Sequence, residues 1–146
     1  MSQQIQTVTG GTTAAELGRT LMHEHLVIGY PGWEADTLRP GPTRAEMIAK
    51  GVDRIEEMKA EGITTMIDPC PNDLGRDVEL MAEVAQRTRF KLVCATGLYK
   101  QEEGGTPYWH FRRRFGPQTD AIAELFIREI EDLSLIHISE PTRPER

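Results

Sequence analysis

Short apolar runs alternate with amphipathic segments from the start of the chain to residue 132. Apolar runs at residues 19–28, 63–67 and 90–95 are predicted to be strands, and each precedes a segment whose apolar residues recur at helical spacing. Gly, Pro and aromatic residues at 98–118 predict a long loop before the third helix. Because no hairpin signal separates the three units, the pattern predicts parallel strands with crossover helices. Either a doubly wound sheet or the opening of a (β/α)8 barrel fits it.

The predicted helices carry local signals at their starts. Thr43 and Glu46 form a capping box, which opens a helix that runs to about residue 60. Arg76 and Asp77 are expected to fix the start of the second helix, because an acidic residue in the first turn interacts favourably with the helix dipole. Thr119 is expected to cap the third helix. These signals support the helical assignment independently of the apolar spacing.

Two histidines, His23 and His25, lie two positions apart on the first predicted strand. Because strand side chains alternate, both imidazoles are expected to project to the same side, where they can share one zinc-like cation. The alternative is a pair of core histidines satisfied by hydrogen bonds. Apolar residues occupy both the odd and the even positions of this strand, so both of its faces are predicted to be buried. Adjacent buried imidazoles are costly unless something pairs with them, which favours the shared metal.

Charge and composition exclude several classes of protein. The net charge of -6 comes from intermixed acids and bases, so no basic stripe is available for nucleic acid. The first residues lack the features of a secretory signal, and no apolar run reaches the roughly 20 residues that span a bilayer. We therefore expect a cytoplasmic protein with neither a nucleic-acid nor a membrane partner. Cys70 and Cys94 have no metal-like spacing and are predicted to be small core residues.

The end of the chain departs from the βα pattern. Residues 133–143 are similar to a translation of the synthetic transposase adapter used in preparing sequencing libraries. We therefore interpret 1–132 as the N-terminal portion of a metal-dependent hydrolase barrel and 133–146 as an artefactual tail, which we exclude from fold reasoning. On this interpretation His137 is not a candidate ligand. The alternative is a genuine short C-terminal extension.

Several segments match one family pattern in order and spacing. They are 7–10 with 18–26, then 62–68, 74–80, 95–99 and 125–130. Together they cover nearly all of residues 5–132, and they resemble the phosphotriesterase family of the amidohydrolase superfamily. The form T-L-x-H-E-H-L separates this family from TatD-like nucleases and dihydroorotases. Those relatives typically have an aspartate two residues before the first histidine, where this chain has Leu21.

The resemblance implies a TIM barrel that holds two divalent metals, usually zinc, bridged by a hydroxide and a carboxylated lysine. His23 and His25 would then be ligands of the more buried metal, and Tyr99 would contact the substrate beside it. For Tyr99 the alternative is a half-buried packing residue. The remaining ligands come from later strands, and such a barrel needs roughly 250 residues. The chain is thus expected to contain about three βα units of an incomplete barrel, with no catalytic residue assigned and no activity of its own.

The resemblance gives the leading functional hypothesis. The parent protein is expected to be a zinc-dependent hydrolase of lactones or phosphotriesters that uses the metal-bridging hydroxide as nucleophile. Its partner would be a small-molecule ester or lactone substrate. The parent protein could also form a homodimer. Two alternatives stay open: a non-catalytic fragment without independent function, and another HxH enzyme of the amidohydrolase superfamily.

Overall fold

A computed structural model describes residues 4–100 and 106–133 of the chain. Its strands are β1 (Gln4–Thr7), β2 (Gly10–Thr13), β3 (Thr20–Leu21), β4 (Thr65–Asp68) and β5 (Lys91–Cys94). Its helices are α1 (Arg44–Ala60), α2 (Val78–Thr88), α3 (Thr106–Arg112) and α4 (Thr119–Leu133). Short 3-10 turns lie at Ala14–Glu16, Trp33–Ala35, Asn72–Leu74 and Arg113–Phe115. Within these residues, no helix is both long enough and apolar enough to cross a membrane.

The central feature is a three-stranded parallel sheet in the order β3-β4-β5. α1 connects β3 to β4 and α2 connects β4 to β5, so each connection is a helical crossover. Parallel strands require such long crossovers, whereas a tight turn would give an antiparallel pair. The predicted βα repeat is therefore confirmed.

The core lies between the sheet and the two crossover helices. Met66 of β4 and Leu92 of β5 have no exposed surface, and burial of a side chain of this size stabilises the fold by about 1.5–3 kcal/mol. Gly51 lets α1 approach α2, because a Cβ atom there would lie 3.1 Å from Val84 Cγ2. The buried cluster comprises Val8, Ile48, Ile55, Met66, Leu80, Met81, Ala82, Val84, Ala85, Phe90 and Leu92.

The starts of α1 and α2 are capped by side chains and joined to each other. The Glu46 carboxylate accepts the Thr43 N–H at 2.7 Å and the Thr43 hydroxyl accepts the Glu46 N–H, which confirms the predicted capping box. The hydrogen bond from the Thr43 backbone is the main reason that the pKa of Glu46 is lowered. Asp77 caps α2 by accepting the Leu80 N–H at 2.8 Å, and it also pairs with Arg44.

The first parallel strand is much shorter than predicted. The apolar run at 19–28 predicts one long buried strand, but β3 ends at Leu21. Beyond it, the Leu26 N–H donates to the Asp68 side chain instead of to a strand backbone. Met22 is 66% exposed and His23 is also exposed, so the prediction of two buried faces is wrong for this part of the run. After Leu21 the segment is held to β4 by separate contacts, from the Glu24 N–H to the Ile67 carbonyl and from the Leu26 N–H to the Asp68 carboxylate, so no regular ladder continues.

Three further elements differ from the sequence predictions. β1 and β2 form an antiparallel hairpin that was not predicted, and this hairpin joins the sheet through the Val8 N–H, which donates to the Leu92 carbonyl. The predicted loop at 98–118 contains α3. Thr119 is the first residue of α4, and the Gln118 carbonyl accepts the Ile122 N–H, so the helix boundary differs by one residue. The predicted tail at 133–146 lies outside the described residues except for Leu133, which ends α4.

Candidate functional site

The predicted site residues follow the carboxyl ends of the parallel strands. His23 and His25 come after β3, and Tyr99 comes after β5. β4 ends at Asp68, which lies between them in the sheet order. Active sites of barrels and of open α/β sheets form at this edge, because the loops that follow the strands converge there. The sheet thus places the predicted residues on the edge where an active site is expected.

The two histidine rings lie side by side. Their centroids are 5.3 Å apart and the rings are almost perpendicular, at 88°. His25 is partly buried and His23 is exposed. The pair lies beyond the end of β3 and so is not on a regular strand as predicted, although the Glu24 N–H between the two histidines donates to the Ile67 carbonyl of β4 at 3.3 Å. The structure nevertheless brings both imidazoles together, and their role as metal ligands stays a prediction.

Asp68 is the central polar residue of this edge, and the sequence does not predict it. Its side chain is 2% exposed. Oδ1 lies 3.1 Å from Nδ1 of His25 and accepts the Cys70 N–H at 2.9 Å, while Oδ2 accepts the Leu26 N–H at 2.9 Å. An acidic residue at the end of a predicted buried strand is the signal that points to such a position. Asp68 thereby fixes the segment that carries His25.

Cys70 lies next to this carboxylate. One ligand atom each from His25, Asp68 and Cys70 lies within 4.8 Å of the other two, so the three could hold a metal ion. However, the Cys70 thiol donates to the Leu74 carbonyl at 3.3 Å. Burial, with the nearby charge of Asp68, raises the pKa of this thiol to about 11. Cys70 therefore behaves as a protonated buried residue, and burial also raises the pKa of the partly buried free thiol Cys94.

The imidazole nitrogens provide a better donor set for a zinc-like ion. Neutral imidazole nitrogen is a common zinc ligand. In the described part of the chain, no hydrogen bond reaches Nε2 of His25 or either ring nitrogen of His23. With Nδ1 of His25 beside a buried carboxylate, the arrangement matches the common pattern in which a metal-binding histidine donates its other N–H to a carboxylate. The side chains present thus fit a divalent metal at the histidine pair.

Tyr99 pairs with a second tyrosine across the site edge. The rings of Tyr99 and Tyr30 meet edge to face, with centroids 6.3 Å apart. The Tyr99 N–H donates to the Asp73 carboxylate at 2.8 Å, which holds the segment after β5 against the segment after β4. The sequence predicts Tyr99 as a candidate and does not predict Tyr30. The two rings form an aromatic surface at the edge where a substrate is expected.

A groove of about 1050 Å³ lies between α1 and the segment that follows β3. Its walls are mainly apolar, with Leu26, Met47 and Met58 among them, and His25 contributes to the lining. Neither His23 nor Tyr99 lines it. We therefore assign the chemistry to the edge that bears the histidine pair and not to this groove.

A second polar cluster near the same edge surrounds Glu129 of α4. Arg76 binds both carboxylate oxygens, at 2.6 Å and 3.2 Å, and also donates to the Ala95 carbonyl. Thr96 and Asn72 donate to the same carboxylate. Burial by itself raises the pKa of Glu129, but the hydrogen bonds from these three side chains outweigh it, so the pKa is lowered. Arg76 thus ties α4 to the end of β5, while Asp77 performs the predicted role at the start of α2.

Matches to known proteins cover almost all of the described residues. The sequence model of the phosphotriesterase family matches residues 3–134. A phosphotriesterase homology protein from Mycobacterium tuberculosis is 32% identical over 139 residues, and the match covers 88% of this chain and 40% of that protein. An aryldialkylphosphatase from Saccharolobus solfataricus is 29% identical over 120 residues, covering 80% of this chain and 35% of the relative.

The structural comparison agrees with the sequence comparison. The structure of an organophosphorus hydrolase from Deinococcus radiodurans matches with a TM-score of 0.79 and 38% identity, and the match covers 88% of this chain and 38% of that one. The chain therefore spans about two-fifths of the length of the relatives it matches. This match selects the opening part of a TIM barrel over a doubly wound sheet, and the described strands form an open sheet and no closed barrel. The chain belongs to the phosphotriesterase family.

Proposed function

We propose that the full-length protein containing residues 1–132 is a zinc-dependent hydrolase that acts on lactones or phosphotriesters. The observation that carries this proposal is the histidine pair at the carboxyl edge of the sheet, with rings 5.3 Å apart and His25 backed by a buried carboxylate. Relatives named aryldialkylphosphatase and organophosphorus hydrolase support hydrolysis as the reaction type. A small-molecule substrate, a cytoplasmic location and a homodimeric assembly belong to the same proposal.

Each site residue has a distinct part in it. His23 and His25 would hold the metal through ring nitrogens that no described residue occupies. A bound zinc ion lowers the pKa of water towards neutrality and polarises the carbonyl or phosphoryl oxygen under attack. Tyr99, paired with Tyr30, would orient the substrate from the third loop. The remaining metal ligands would come from parts of the parent beyond this chain, so we expect the 146 residues by themselves to be inactive.

A second candidate is that the chain is a non-catalytic fragment. The observation in its favour is the open sheet, because β3 and β5 each have one neighbour among the described strands. Unpaired strand edges promote association with other chains. Purification of residues 1–132 tests this candidate: a monodisperse protein that melts cooperatively and binds zinc stoichiometrically would contradict it.

The test of the hydrolase proposal uses the purified full-length protein. Metal content is measured by elemental analysis, and hydrolysis is assayed with a γ-lactone and with an aryl dialkyl phosphate. A relative from Xenopus tropicalis is named N-acetyltaurine hydrolase, so an N-acetyl amide is included as a third substrate class. We expect bound zinc and hydrolysis of at least one of the two esters. A protein with two bound metals that cleaves neither ester would refute the proposal, and cleavage of the amide alone would refute the ester class.

Histidine variants connect the activity to the site. His23→Ala and His25→Ala are each expected to reduce both the zinc content and the rate of ester hydrolysis. The matched control is His110→Ala, because His110 is an exposed histidine of α3. It is expected to leave both quantities unchanged. Equal losses in all three variants would show that the effect is not specific to the pair.

A further inference from the structure

The Asp68 carboxylate is almost completely buried and surrounded by nitrogen atoms. Both of its oxygens are occupied, by the backbone N–H groups of Leu26 and Cys70 and by Nδ1 of His25. An ionised carboxylate accepts hydrogen bonds but cannot donate one. Nδ1 of His25 must therefore carry the proton in this contact, and the lone pair of the neutral imidazole is on Nε2.

Asp68 is itself held firmly at the end of β4. Its backbone pairs with Cys94 of β5, and its carbonyl accepts the Ala95 N–H at 3.1 Å. Because the carboxylate also binds two backbone N–H groups, its side chain has little freedom to rotate. A ring held by such a group has a fixed orientation as well as a fixed proton position.

We propose that Asp68 is a positioning residue, which sets the tautomer and the orientation of His25 so that Nε2 is the nitrogen available to a metal. This inference rests on the metal site of the proposed function and adds a residue to it. Buried carboxylates that accept the second N–H of a metal-binding histidine raise the basicity of the ligand and fix its ring. His23 has no equivalent partner in the described part of the chain, so the pair is asymmetric.

The contacts of Asp68 distinguish positioning from direct ligation. Oδ1 of Asp68 already accepts the Cys70 N–H and faces Nδ1 of His25, so ligation through this oxygen would displace a buried or partly buried partner. Cys70, the third member of the cluster, already uses its thiol as a donor to Leu74. The two occupied lone pairs of Oδ1 and the committed Cys70 thiol therefore favour support of His25 over a separate site formed by His25, Asp68 and Cys70.

The first part of the test detects the proton position directly. The full-length protein is labelled with 15N-histidine, freed of metal, and studied by NMR at a pH where His25 is neutral, with His25→Gln to assign the signal. We expect the Nδ1–H tautomer for His25 in the wild type, retention of that tautomer in Asp68→Asn, and a mixture in Asp68→Ala. A dominant Nε2–H tautomer in the wild type would overturn the proposal.

The second part measures zinc affinity by competition with a chelator. Loss of such a supporting carboxylate typically lowers metal affinity by about 10–100-fold, so we expect a loss of that size for Asp68→Ala and a smaller one for Asp68→Asn. The control is Asp77→Ala, which removes another aspartate that binds a backbone N–H but lies at the start of α2. It is expected to lower thermal stability without changing zinc affinity.

The outcomes separate this inference from the proposed function. A wild type that binds zinc, with unchanged affinity in both Asp68 variants, would overturn the positioning role and leave the hydrolase proposal intact. An equal loss of affinity in Asp77→Ala would also overturn it, because the effect would then be one of stability. A wild type that binds no zinc would overturn both. If Asp68→Ala does not fold, the affinity of Asp68→Asn decides the question.

Discussion

Two carboxylates near the same edge of the sheet, those of Asp68 and Glu129, are held by similar hydrogen bonds but have different roles. The side chain of Asp68 is 2% exposed and that of Glu129 is 14% exposed. Each accepts hydrogen bonds from three different residues. The difference lies in the partners: Glu129 faces a guanidinium group, whereas Asp68 faces an imidazole.

That difference decides what each cluster can do. A guanidinium group has no lone pair to offer, so the pair of Arg76 and Glu129 provides no nitrogen ligand for a metal, although Nε of Arg76 is buried without a hydrogen-bond partner among the described residues. The imidazole of His25 has a second nitrogen, and the influence of Asp68 continues through the ring to that atom. Similar burial and similar hydrogen bonding therefore produce a structural tie in one place and support for a binding site in the other.

The largest expected effect is the loss of stability in Glu129→Ala. Arg76 is 6% exposed, so the variant leaves a buried cation without its carboxylate, a change that costs about 3–5 kcal/mol in the free energy of unfolding. Chemical denaturation of the full-length protein measures it. The zinc affinity of the folded variant should equal that of the wild type, and a large loss of affinity would contradict the separation of the two clusters.

The matched control is Glu124→Ala on the same helix. Glu124 also pairs with an arginine, Arg128, but both side chains are more than 60% exposed. Solvent screens such a pair, so we expect a change below about 0.5 kcal/mol. Because alanine itself favours the helix, a similar loss in both variants would show that the buried pair does not account for the Glu129 result.

A smaller effect is expected from acidification. The pKa of Glu129 is lowered in the folded state, so on acidification the unfolded state binds its proton first. The stabilisation is therefore present above the ordinary value of 4.5 and is lost as the pH falls through the lowered pKa. We would measure the free energy of unfolding from about pH 6 to about pH 3, a range that spans this window. It should depend less steeply on pH in Glu129→Gln than in the wild type. Because the pKa of Glu46 is also lowered, the variant should keep part of the dependence, and identical curves would contradict the assignment.

Apart from the Glu124 control, the smallest effect concerns Cys70, which adjoins Asp68 and donates its N–H to the same carboxylate. Cys70→Ala removes the hydrogen bond to Leu74 and a small buried volume, with an expected cost of about 1 kcal/mol in unfolding free energy. Its zinc affinity should stay at the wild-type value. Loss of zinc from this variant would instead favour a site in which the Cys70 sulfur is a ligand.

Sequence patterns predicted the elements that local interactions determine. The capping box at Thr43, the 17-residue helix that follows it and the parallel βα repeat all appear as expected. The length of β3 could not be predicted in this way, because apolar residues continue past Leu21, where regular pairing with β4 ends and only the Glu24 N–H still donates to the Ile67 carbonyl. Nor did the pattern indicate α3, whose aromatic and basic residues resemble those of a loop.

For the candidate site, the sequence by itself determined the spacing of His23 and His25 and the position of Tyr99 after a strand. Only the tertiary structure decided that Asp68, 43 residues beyond His25, supports that ring and that Arg76 meets Glu129, 53 residues away. The physical reason is that these pairs depend on the register of β3, β4 and β5 and on the packing of α4. Neighbours in sequence are fixed by the covalent chain, whereas partners at the ends of different elements meet only after the sheet has formed.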